Sequence, residues 1–209
     1  MRKPDGLTRI IAGVAGGRRL AVPAGRSTRP TSDRTREGLF AAALAMLGDL
    51  DGAAVLDLYA GSGAVGLEAL SRGAADALLV ESDSGAARVI RRNIETVGLP
   101  GARLVHDRVD RALRRGPGSA APRDLVFADP PYSAAEDELS EVLVRLAAQG
   151  WLARDAVVIL ERDARSPEPR WPAGYAKDRS RRYGETMLWY GRASGASSVS
   201  SDPAAPTGA

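Results

Sequence analysis

Short apolar runs recur at 53–58, 77–81, 103–106, 125–128 and 156–161, each the length of a buried strand. Between them, 65–72, 85–96, 109–114 and 135–149 carry apolar residues at helical spacing. Regular alternation of this kind predicts an α/β fold, a parallel sheet with helices on both faces. A further helix is expected at 33–47, with Thr31 or Ser32 as its N-cap. Late in the chain, RRYGETMLWYG predicts two strands around a tight turn at 183–186, and upstream GVAGGRRLAVP predicts a β-hairpin that presents arginines. The last stretch, 193–209, is small, polar and broken by prolines, a composition that predicts disorder. The chain therefore divides into an arm (1–32), a main domain (33–192) and a tail (193–209).

Composition narrows the chemistry. The 209 residues, 44% of them hydrophobic, suffice for one globular domain with its own core. There is no cysteine, which removes disulfides, thiolate nucleophiles and cysteine-based metal sites, and the single histidine, His106, argues against a histidine metal centre. No apolar run approaches a membrane span, and MRKPDGLTRI lacks the apolar core of a signal peptide, so a cytoplasmic location without a membrane is expected. Charge is unevenly spread. Residues 1–36 hold nine cations, among them Arg9, Arg18, Arg19, Arg29, Arg34 and Arg36, against Asp5 and Asp33, whereas the whole chain is only +3. A basic arm on a net acidic body fits a polyanionic partner, with those six arginines as candidate RNA contacts. The alternatives are a solvated, flexible terminus, or a segment that only covers a sheet edge or tethers the fold.

The first chemical motif is VLDLYAGSGAVGLEAL, in which Gly61-x-Gly63-x-x-Gly66 follows a strand and opens a helix. That is the setting of a nucleotide-binding glycine loop, where the backbone turns sharply and the N–H groups of the helix start face a ligand. Glu81 ends the next strand, placed to accept hydrogen bonds from ribose hydroxyls. These features fit a dinucleotide or S-adenosylmethionine. Asp57, inside the apolar first strand, favours the second, because a buried acid needs a cation or hydrogen bonds and would repel a pyrophosphate.

The second motif is VFADPPY. Pro130 and Pro131 cannot continue a ladder, so the chain must leave the sheet at the ligand-binding end beside the first strand. Asp129 and the freed carbonyl of Pro130 can then accept two hydrogen bonds from one planar amino group, and Tyr132 offers a stacking face for a base. The target of such a set is the exocyclic amine of a nucleobase.

LDLYAGSGAVGLEALSRGA, VESD and FADPPY, in this order and spacing, resemble the class I S-adenosylmethionine-dependent methyltransferases that modify exocyclic amines. TRIIAGVAGGRRLAVP, TRPTSDRTREGLF and RRYGETML are more narrowly similar to the RsmD family of bacterial small-subunit ribosomal RNA guanine-N2 methyltransferases, over roughly residues 8–191. The resemblance implies a Rossmann-like fold with a mostly parallel seven-stranded sheet and an N-terminal β-hairpin extension. It implies that Asp57, Ala60, Gly61, Ser62 and Gly63 hold the methionine part of the cofactor and Glu81 the ribose, with Ser82 and Asp83 beside the adenine. Either Asp107 or Arg108 takes the place that meets the adenine amine. Asp129, Pro130, Pro131 and Tyr132 form the target-amine site. The implied substrate is ribosomal RNA, within a small subunit or an assembly particle, acted on by a monomer with no metal. Competing readings are a DNA adenine-N6 or cytosine-N4 methyltransferase, disfavoured because the short chain has no separate target-recognition domain, and, from another class, an NAD-dependent oxidoreductase or a non-catalytic nucleotide-binding module, which would leave DPPY and the basic arm without a role.

Overall fold

The structure is a computed structural model, and it describes residues 7–23, 32–131 and 136–194. Arg29, Thr31, Tyr132 and the tail from residue 195 lie outside the described residues. Two short strands, β1 (Leu7–Arg9) and β2 (Arg19–Ala21), pair antiparallel as the expected hairpin. Helix α1 (Asp33–Leu47) follows, capped by Ser32, whose hydroxyl accepts from the Thr35 N–H at 3.1 Å.

The alternating region then runs β3 (Ala54–Leu58), α2 (Ala64–Ser71), β4 (Asp76–Glu81), α3 (Ser84–Val97), β5 (Ala102–His106), α4 (Val109–Arg114), β6 (Arg123–Ala128), α5 (Glu136–Ala148) and β7 (Leu152–Asp163). It closes with the hairpin β8 (Tyr175–Tyr183) and β9 (Thr186–Ala193). One seven-stranded sheet results, in the order β5-β4-β3-β6-β7-β9-β8, parallel from β5 to β7 and antiparallel where β9 joins β7 and β8. The expected architecture is the observed one. Its order reverses between β3 and β6, and in open α/β sheets that switch is where a ligand crevice lies, beyond the carboxyl ends of the strands.

Successive side chains of a strand point to opposite faces, and both faces are covered. Val55, Leu79, Leu125, Phe127 and Ile159 pack with Leu39 and Phe40 of α1, Leu67 of α2 and Ile90 of α3. Leu56, Leu58, Val80, Val126 and Leu160 pack on the other side with Leu113 of α4 and Leu143 of α5. This double burial is why the strands read as unbroken apolar runs. The one strand much longer than its apolar run is β7: its first residues precede an irregularity, with Arg123 opposite Leu152 but Leu125 already opposite Val157, and Asp155 in that stretch has φ 60°.

The arm is not a separate body. Ile10, Ala15 and Leu20 are buried in the same core as α1, α2 and α3, so the division at residue 32 marks no independently packed unit. Polar contacts fasten it further. Glu68 of α2 accepts from the Ile11 and Ala12 N–H groups at 2.6 and 3.0 Å, and Ser71 receives the Ala15 N–H at 2.9 Å. Among the described residues no helix is long and apolar enough to cross a membrane.

Candidate functional site

Three carboxylates meet at the switch. Leu58 of β3 is paired with Val80 of β4 on one side and Ala128 of β6 on the other, so Glu81 and Asp129 flank the point where β3 ends. Asp57, one residue inside, is 1% exposed, and one of its oxygens accepts the Gly66 N–H of α2 at 2.9 Å. Burial, with the charges of Asp129 and Glu81 adding to it and the Gly66 N–H opposing, pushes the Asp57 pKa up to about 8. Such a cluster of carboxylates favours a positively charged ligand.

The glycine loop is held from β4. Both oxygens of the buried Glu81 carboxylate accept backbone N–H groups, Gly61 at 2.8 Å and Asp83 at 2.8 Å, so one side chain ties the loop after β3 to the turn after β4. Gly63 caps α2 in the left-handed region at φ 77°, with no side-chain hydrogen bond at the helix start, and a Cβ there would fall 2.8 Å from Leu79. Its N–H bonds Ala60 O at 2.7 Å. Ser62 turns its carbonyl inward to Asn93 of α3 at 2.8 Å. Replacing Glu81 by alanine should weaken S-adenosylmethionine binding by about 1.5–3 kcal/mol, the usual worth of a hydrogen bond to a charged group, and lower thermal stability as well, because two backbone donors lose their acceptor. Glu81→Gln, which still accepts at one oxygen, should retain more stability than affinity. Titration calorimetry with wild-type affinity in both variants would place the ribose elsewhere.

The DPPY segment leaves the sheet as its prolines require. The Asp129 N–H still reaches Leu58 O at 3.4 Å, after which Pro130 is buried and Pro131 exposed. Asp129 is half-buried, close enough to Asp57 to raise its pKa.

Other expected contacts are placed with defined partners. Ser82 is exposed, its carbonyl 3.2 Å from His106 Nε2, and Asp83 caps α3 by accepting the Ala86 N–H at 2.7 Å. Asp107 accepts the Arg108 N–H at 2.8 Å and is paired with Arg115, whereas Arg108 points to Asp110 at 3.0 Å and is exposed. Of that pair, Asp107 is the more enclosed.

The arginines separate into two groups. Arg9, Arg19 and Arg34 are exposed, with Arg9 also 3.2 Å from Asp33. Arg18 is exposed but donates to the Val97 and Thr96 carbonyls, which closes the C-terminus of α3. Arg36 is a correction. At 1% exposure it cannot offer its guanidinium to a phosphate, and it donates instead to Thr8 Oγ1 at 3.0 Å, Arg9 O at 2.6 Å and Asp33 Oδ1 at 3.1 Å. Burial lowers its pKa, with Glu68 and Asp33 opposing. Arg36→Ala should therefore cost about 2–3 kcal/mol of stability through broken hydrogen bonds and a cavity. Its RNA affinity should keep the wild-type salt slope; a flattened slope at wild-type stability would return Arg36 to the surface.

Two residues were not singled out in the sequence. Asn93 lies 1% exposed where hairpin, helix and loop meet: its side chain receives the Ala21 N–H at 2.9 Å and donates to Ala21 O at 2.9 Å and to Ser62 O. A polar residue at a core-facing helical position was the only signal. Tyr59, with φ 59° at the end of β3, takes a backbone conformation rarely found outside glycine, and nothing in the sequence marks it.

The family model described as conserved hypothetical protein 95 matches residues 8–192. Ribosomal RNA small subunit methyltransferase D of Escherichia coli K12 is 37% identical over 189 residues, 88% of this chain and 91% of the relative, and its namesake from Haemophilus influenzae is 32% identical over 78% and 82%. The solved Escherichia coli protein yhhF superposes with a TM-score of 0.78 at 34% identity, covering 90% of this chain and 99% of that one. A magnesium protoporphyrin IX methyltransferase from Synechocystis, solved with bound SAM, shares the fold at a TM-score of 0.59 and 16% identity. With the family model spanning the arm, the glycine loop, DPPY and the β8–β9 hairpin, the chain belongs to the RsmD family.

Proposed function

We propose that this chain transfers a methyl group from S-adenosylmethionine to the exocyclic N2 amine of a guanine in small-subunit ribosomal RNA. The observation that carries the reading is the convergence of Asp57, Glu81 and Asp129 at the sheet switch, with Asp57 pushed up to about 8 by burial and by the charges of Asp129 and Glu81. The cofactor's sulfonium and ammonium fit this donor set, and a pyrophosphate does not. Glu81, Gly61 and Gly63 shape the adjoining loop, and the relatives are named as ribosomal RNA methyltransferases.

When bound, S-adenosylmethionine supplies an electrophilic methyl group. The chain's own residues do the rest. Asp129 and the Pro130 carbonyl, at the place where the ladder ends, accept both N–H groups of the guanine amine and aim its lone pair, and positioning supplies most of the rate. Asp129 takes the proton once the amine has become cationic. Tyr132, by its place in the motif, stacks on the base, which must be flipped or looped out of any helix to arrive there. The same reading takes a small-subunit or assembly particle as substrate and a cytoplasmic monomer working without a metal.

The test is methyl transfer to ribosomal RNA, and separately to small subunits, from a strain lacking the gene, followed by nucleoside mass spectrometry. N2-methylguanosine is the expected product. Label on adenine or cytosine amines, or binding of NADH in place of S-adenosylmethionine, would overturn the assignment.

A further inference from the structure

Beyond the arm, the most basic exposed element among the described residues is β8, YAKDRSRRY, an edge strand of the sheet. Residues 176–182 are all exposed, and they carry Lys177, Arg179, Arg181 and Arg182 against Asp178 alone. Lys177 is spent on Glu168 at 2.6 Å, and Arg179 lies 3.4 Å from Asp178. Arg181 and Arg182 are held in other ways: Arg181 stacks 5.3 Å over the Tyr183 ring, and Arg182 Nε donates to Gly184 O at 2.8 Å, its charge also felt by Asp163.

Register sets the height of these arginines. Arg181 pairs with Leu188 of β9, Leu188 with Glu161 of β7, and Leu160, one residue earlier, with Ala128 of β6. Arg181 is thus level with Asp129, and Arg182 and Tyr183 stand above it on the crevice side. Between β6 and β8 lie three strand spacings, about 14 Å at about 4.8 Å each. The hairpin is not a loose flap. Gly38 of α1 admits the Tyr183 ring, since a Cβ there would fall 1.9 Å from its hydroxyl. Arg34, exposed and one helical turn before Gly38, lies on the same side of α1.

We propose that the edge formed by β8, with Arg181 and Arg179 on the α1 face beside Arg34 and Arg182 on the opposite face, is a second RNA-docking surface that grips phosphates flanking the target guanine, on the side of the crevice away from β4 and β5. The proposal rests on the reading that the substrate is RNA. A guanine drawn out to Asp129 must bring its neighbouring nucleotides past the crevice rim, and arginine's planar fork suits phosphate oxygens better than a general solubilising charge would. The competing explanation for charge on this strand is that it only prevents edge-to-edge pairing of sheets.

The variant Arg181→Glu/Arg182→Glu separates these accounts, with Arg181→Gln/Arg182→Gln as a milder second pair. RNA affinity should fall, and the slope of log affinity against log salt should flatten by about 0.7 for each single-strand phosphate no longer neutralised, and by about 1.4 for two. The KM for RNA should rise at least tenfold, while kcat at saturating RNA and S-adenosylmethionine affinity stay within twofold of wild type. The glutamine pair should show the same direction at smaller size, and it decides the matter if the glutamate pair loses stability. Wild-type RNA affinity and salt slope in the glutamine pair, or self-association of either pair in sedimentation with unchanged RNA binding, would overturn the docking surface and leave the edge-guarding role. Wild-type protein that neither binds nor methylates ribosomal RNA would overturn the underlying reading itself.

Discussion

Asp129→Ala is expected to lower the rate of methyl transfer by roughly 10²–10³-fold, the scale for removing one preorganised hydrogen-bonding group aimed at a transition state. Its proposed partner is the substrate amine, so S-adenosylmethionine affinity at pH 8 should change by no more than a few-fold. Asp129→Asn is the informative companion: it keeps one acceptor oxygen but can take no proton, and should fall between wild type and alanine if positioning supplies most of the rate. A second consequence follows from the electrostatics. Asp129 contributes to the raised pKa of Asp57, so its removal should let Asp57 ionise at lower pH and move the pH dependence of cofactor binding downward. Single-turnover transfer to small subunits and calorimetric titrations across pH 5.5–8.5 measure both. Near-normal turnover in Asp129→Ala would remove this residue from the mechanism.

Asp57→Asn should weaken S-adenosylmethionine binding by about 1.5–3 kcal/mol at pH 8, the range for hydrogen bonds that involve a charged group. Unlike alanine, asparagine can still accept the Gly66 N–H, so the loss belongs to charge and not to the loop. The pH effects are sharper. In the folded apoprotein the Asp57 pKa lies near 8, far above its ordinary 3.8. The fold therefore favours the protonated carboxyl: the stabilising contribution is fully present below about pH 4 and is lost as pH rises through 8. Within that window the slope is at most about 1.4 kcal/mol per pH unit, and Asp57→Asn should abolish that share. Cofactor binding should run the opposite way, strengthening up to about pH 8 as the carboxylate forms, with a proton released at neutral pH. Calorimetry in two buffers of different ionisation enthalpy detects that proton. Urea unfolding at several pH values measures the stability term. Parallel pH profiles for wild type and Asp57→Asn would show that Asp57 is not the group that meets the cation.

By itself, the sequence determined the alternation of strands and helices and the place where each motif would fall. Strands buried on both faces need uninterrupted apolar residues, prolines must end a ladder, and glycine spacing marks the turn before α2, so these are local rules legible in a linear string. Family membership was legible for the same reason, because short motifs at fixed spacing survive in the order of residues. The roles of individual polar side chains were not. Arg36 and Arg34 are two residues apart in one basic stretch, yet one is enclosed by Thr8, Arg9 and Asp33 and the other is exposed, because the helix turns them to different faces and the hairpin covers only one. Glu81 stood out as a ribose ligand, but only the juxtaposition of β3 and β4 revealed that its oxygens already bind Gly61 and Asp83. Asn93 joins three segments far apart in the chain, and Arg181 comes level with Asp129 through two intervening strands. Burial, partnership and register depend on which distant residues share a neighbourhood, and that is settled only when the sheet orders its strands.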